Sequence, residues 1–80
     1  MYWYEKEDDH KSEIFEDRDM CVEAATKYAK QLAPNDSVVL ICCNGLHNKS
    51  FVFSRIHKDA HGGITSRIVR MDKEEYMKME

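Results

Sequence analysis

Proline occurs once in the chain, at Pro34, and glycine three times, at Gly45, Gly62 and Gly63. So little of either excludes a collagen-like or low-complexity chain and leaves no flexible linker between separate domains. The glycines stand in neither a phosphate-binding loop nor a dinucleotide-binding fingerprint, and no nucleophile elbow or zinc-protease pair occurs. Cysteine is also scarce. Cys21, Cys42 and Cys43 are too few, and odd in number, for a secreted disulfide scaffold. No apolar run approaches the roughly 20 residues of a membrane span. Residues 1–9 are too acidic for a signal peptide, so the expected location is the cytoplasm of a cell or of an infected host.

What is present is an ordinary folding composition: 80 residues, 42% hydrophobic and 34% charged. That length suits one domain over residues 1–80. Area scaling gives about 5,000 Å² of folded surface and about 63% burial, enough for one modest core that a second copy would reinforce. A homodimer is therefore expected, with the aromatic start (Tyr2, Trp3, Tyr4) or the strand at residues 51–56 at its interface.

Charge is unevenly spread. Residues 1–23 hold nine acids and three bases, a net of −6, whereas residues 49–70 hold five bases and one acid, a net of +4. The acidic stretch favours a basic partner and the basic one an anionic partner.

Periodicity places the main helix at residues 18–33. Cys21, Val22, Ala25, Tyr28, Ala29 and Leu32 recur at three- and four-residue spacing, Asp17 or Asp19 can cap the start, and Pro34 ends the run. Residues 38–43 are continuously apolar and read as a central strand. Residues 51–57 and 64–71 read as two more strands joined by a turn in which Gly62 and Gly63 supply positive φ. Asp72, with Glu75 three residues on, resembles a capping box for a short C-terminal helix. Residues 2–4 are strand-like, and residues 12–15 either return as a second strand or extend the helix; exposed aromatic and acidic residues favour the hairpin. The expected fold is α+β: an antiparallel sheet of three to five strands packed on one main helix, in the order β-β-α-β-β-β-α.

Three functional readings follow. The first is a non-enzymatic binding or inhibitory protein, with no cofactor, that contacts a basic protein surface through Glu5, Glu7, Asp8, Asp9, Glu13, Glu16, Asp17 and Asp19. In size and charge alone such a chain resembles phage-encoded inhibitors of host nucleic-acid-handling or defence machinery. The second is a nucleic-acid binder that uses Arg55, Lys58, Arg67 and Arg70 beside Phe51, Phe53, His57 and His61. If Arg55 and Arg67 are cross-strand neighbours they repel, unless an anion or a carboxylate lies between them. The third is a zinc-supported domain built on Cys42, Cys43, His47, His57 and His61, or a thiol enzyme with Cys43 as nucleophile and His47 or His10 as base. Neither has the paired spacing that makes such signals strong. Cysteines as small core residues and no metal site are the expectation.

Overall fold

The computed structural model describes residues 1–6, 11–44 and 49–78. Six elements follow in order: β1 (Tyr2–Lys6), α1 (Arg18–Lys30), β2 (Ser37–Asn44), β3 (Lys49–Lys58), β4 (Ile64–Asp72) and α2 (Lys73–Lys78). The strands form one antiparallel sheet ordered β1-β2-β3-β4, so β2 and β3 are interior and α1 crosses from β1 to β2. The α+β class is as expected. No helix among the described residues is long and apolar enough to cross a membrane.

The helix α1 starts where Asp17, in extended conformation, accepts a bond from the Asp19 backbone N–H at 2.8 Å. It ends three residues earlier than the spacing predicts. The Gln31 N–H closes onto Tyr28, Leu32 N–H onto Ala29, and Asn35 takes a positive φ of 72°. Leu32 stays buried although it lies beyond the helix, so the apolar stripe outlasts the regular backbone. Glu23 and Lys27 pair at 3.5 Å on the exposed face, worth only a few tenths of a kcal/mol.

Residues 11–15 return antiparallel to β1, as the hairpin reading expects, but as two isolated bridges (Tyr2 with Phe15, Glu5 with Lys11) instead of a strand. Ser12 is the reason. Its backbone N–H reaches the Tyr4 carbonyl at 2.9 Å, while the Tyr4 N–H is taken by the Ser12 hydroxyl at 3.0 Å. A side-chain oxygen thus replaces a ladder carbonyl, and the order becomes β-α-β-β-β-α.

This segment occupies the outer edge of β1, and Trp3 is buried at 6% exposure. The strand at residues 51–56 belongs to β3, hydrogen-bonded on both sides. Neither segment named as a dimer interface therefore offers a free strand edge. Among the described residues the free edge is that of β4.

Strand β2 is covered on both faces. Val38 and Leu40 pack with Cys21, Ala25, Ala29, Leu32 and Ile56 under α1. Val39 and Ile41 point the other way, to Trp3 and Val52, where Tyr76 of α2 also packs. That alternation explains why its sequence is apolar throughout. In the β3–β4 turn only Gly62 has positive φ (88°). Gly63 is needed for a different reason: a Cβ there would lie 2.7 Å from the Asp59 carboxylate, which accepts the backbone N–H groups of His61 and Gly63.

Leu40 is fully buried between α1 and the sheet. Leu40→Ala is expected to cost about 3 kcal/mol in urea denaturation, while Met20→Ala, at a 59% exposed site, changes stability by less than about 0.5 kcal/mol.

Candidate functional site

The five described acidic candidates, Glu5, Glu13, Glu16, Asp17 and Asp19, do not form one surface. Glu5 lies on the sheet face turned away from α1, and its side chain is only 21% exposed. Its Oε2 accepts the Trp3 indole N–H at 2.6 Å and the Lys73 ammonium at 2.9 Å. Burial pushes its pKa up, but the bonds from Trp3 and Lys73 and the charges of Lys73 and Lys11 outweigh that and lower it. Lys11 completes the cover, its ammonium 4.8 Å from the Trp3 ring centroid. Glu5 is thus a structural residue and leaves the contact list. Glu7, Asp8 and Asp9 lie outside the described residues. Glu13, Glu16, Asp17 and Asp19 are exposed around the start of α1. Among them Arg18 is turned away onto the Phe53 ring, at 5.2 Å.

The basic candidates are divided as well. The Lys58 ammonium caps the end of α1 by donating to the Lys30 carbonyl at 2.8 Å. Arg70 stands between Val69 and Met71. Both of those face away from α1, so strand alternation turns Arg70 to the helix side. With Phe51, Val52, Phe53, Val69, Met71 and Asp72 it lines a shallow groove of about 360 Å³. Arg55 and Arg67 sit directly opposite each other on β3 and β4. Arg55 also pairs with Val39, which packs with Trp3, so both arginines occupy the sheet face that α1 does not cover. The Arg55 guanidinium donates to the Ser37 hydroxyl at 3.1 Å.

The cysteines do not converge. Cys42 and Cys43 point to opposite faces and all three thiols are free. Burial raises the Cys21 pKa to about 11, which suppresses its thiolate. Among the described residues no three His, Cys, Asp or Glu side chains are placed to hold a metal ion. His10 and His47, the proposed bases and ligand, lie outside those residues. His61 is exposed at the hairpin tip and His57 is half-buried on β3, at the opposite end of the β2–β3 pair from Cys43.

Two features had no expectation behind them. Ile14 (46%), Met20 (59%) and Val22 (36%) are exposed in the same stretch as the free carboxylates. Only Met20 lay visibly off the helical stripe. The Glu5–Lys73 contact joins residues 68 positions apart, which no local spacing reveals. Compared with protein-family models, curated proteins and solved structures, the chain matches none.

Because folding lowers the Glu5 pKa, its ionised form stabilises the fold above the unfolded value of about 4.3. That contribution fades as pH falls through this value towards the lower folded one. Glu5→Gln is therefore expected to be less stable than the parent at pH 7 and to converge with it as pH falls below the lowered folded pKa, read from urea midpoints at each pH.

Proposed function

We propose that the chain is a small non-enzymatic binding protein that inhibits a protein partner by occupying its basic surface. The contact is the start of α1 and the segment before it. The observation that carries this reading is the mixture found there: exposed Glu13, Glu16, Asp17 and Asp19 interleaved with exposed Ile14, Met20 and Val22. Solvated acidic faces do not need apolar side chains among their charges. Contact surfaces use them, with the apolar groups as anchors and the charges setting encounter rate and selectivity. Methionine adapts to an irregular partner pocket. Arg18, the only base between Glu13 and Val22, is turned onto the Phe53 ring, so four acids face one base there.

The test is recovery of partners from a lysate by the chain and by Glu13→Lys, Glu16→Lys and Asp19→Lys combined. Asp17 is spared because it caps α1. Partner recovery is expected to fall about tenfold or more on reversal, and Ile14→Ser with Met20→Ser to weaken it separately. Unchanged recovery in both variants would remove this surface from the function.

Self-association belongs to the same proposal. A nine-residue outer strand whose outer edge no described residue pairs, with Ile68 74% exposed, supports pairing of β4 with β4 of a second copy. Light scattering through a tenfold dilution from micromolar concentration is expected to give about twice the 9.4 kDa chain mass. A constant 9.4 kDa mass would refute the dimer.

A further inference from the structure

Two guanidinium groups directly opposite on adjacent strands place like charges with Cβ atoms about 5 Å apart, an arrangement that destabilises a sheet unless something neutralises it. Arg55 and Arg67 are such a pair. The carboxylate nearest in register is Glu5, which continues the same row across the sheet: Glu5, Val39, Arg55, Arg67. Two strand spacings, about 10 Å, separate it from Arg55, and its Oε2 is already shared by Trp3 and Lys73. Among the described residues no carboxylate bridges the two arginines, and none of those residues meets their charge.

The neighbouring row on the same face is Ser37, His57 and Thr65. Ser37 accepts from Arg55 and so holds that guanidinium in place. Thr65 presents an exposed hydroxyl beside Arg67. His57 Nδ1 is buried with no hydrogen-bond partner, a second unmet polar group in the same patch. Two fork-shaped cations and two hydroxyls, on a sheet face left uncovered, are the chemistry that takes a tetrahedral oxyanion.

We infer that Arg55 and Arg67, with Ser37, Thr65 and His57 around them, form a binding site for a phosphate group. The anion lies between the two guanidiniums, each donating two N–H groups to its oxygens, and its charge removes the cross-strand repulsion. The site is separate from the acidic surface around α1 and does not rest on the function proposed for it. Its phosphate comes either as a free ion or small phosphomonoester, or as the backbone of a nucleic acid. The chemistry at the arginines is the same.

The experiment compares thermal unfolding of the full chain in chloride and in inorganic phosphate at equal ionic strength, with Arg67→Thr, Arg55→Gln and Arg70→Thr as variants. Arg70→Thr is the control, since it removes the same charge from the opposite side of the sheet. Phosphate at about ten times its dissociation constant is expected to raise the parent Tm by about 6 °C or more. Arg70→Thr should rise equally and the other two little, with phosphate affinity lowered about tenfold in each. In low-salt chloride Arg67→Thr should be more stable than the parent, because it relieves the repulsion and adds a good strand former. A parallel titration with an eight-nucleotide oligothymidylate identifies the source. Tighter binding than phosphate, steeply weakened by salt and lost in Arg67→Thr, assigns the phosphate to a nucleic acid. Response to inorganic phosphate alone assigns it to a free anion. The inference is overturned if neither ligand acts on the parent, or if Arg67→Thr and Arg70→Thr respond alike.

Discussion

A sheet has two faces, and this chain has one helix long enough to cover one of them. Everything else in the fold answers that shortage. The 13-residue α1 closes the face carrying Val38, Leu40 and Ile56. The opposite face, with Val39, Ile41 and Val52, is closed by smaller means: Trp3 from the sheet itself, Tyr76 from the six-residue α2, and the Lys11 ammonium over the indole. Glu5 ties these pieces together, since its carboxylate fixes the indole and holds Lys73 at the start of α2. A charge in this half-buried place is tolerable because it is both paired and hydrogen-bonded. The cover is local. It stops short of the β3–β4 hairpin end, where Arg55 and Arg67 begin.

The same shortage sorts the charges in space. Acidic side chains gather where α1 begins, and their carboxylates complement the positive end of the helix. Of the basic side chains, Arg55 and Arg67 lie on the uncovered end of the sheet, where long polar stems can lie over β-branched neighbours while their heads reach water. The charge asymmetry of the linear sequence thus becomes an asymmetry between a helix end and a sheet face. The contacts within each region do not cancel the other: Lys6 goes to Asp36, Lys73 to Glu5, and Arg18 to an aromatic ring.

Periodicity made α1, the three C-terminal strands and the buried β2 legible because each encodes its burial locally. Cys21, Ala25 and Ala29 lie a helical turn apart, and residues 38–41 are apolar because both their faces are covered. The N-terminal return was legible as a direction but not as a ladder, since no pattern announces that Ser12 will offer its hydroxyl in place of a carbonyl. The candidate sites fared differently. Residue type and charge run identified Glu5 and Lys58 as free to bind, but long-range contacts, to Lys73 and to the end of α1, take them up. The opposition of Arg55 and Arg67 was conditional on register. Register here depends on the Asp59–Gly63 turn, which does not show in the hydrophobic pattern.

Strand alternation separates the basic side chains, since Arg67 and Arg70 stand three residues apart on β4 and so face opposite sides. A regular pairing of β3 with β4 would keep one alternation along the whole ladder. The shift between Val52 and Ser54 places Phe53 on the α1 side, where it meets Tyr2 and Arg18. Beyond it Arg70 faces the groove beside Phe51 and Phe53, while Arg55 and Arg67 keep the open face. A continuous cationic strip that tracks an extended strand of nucleic acid would need all of these on one side. The arrangement instead concentrates positive charge at one cross-strand pair, bracketed by hydroxyls and a buried ring nitrogen. Such a point of charge fits a single phosphate group better than a long polyanion, and it is the three-residue spacing of Arg67 and Arg70 that makes the difference.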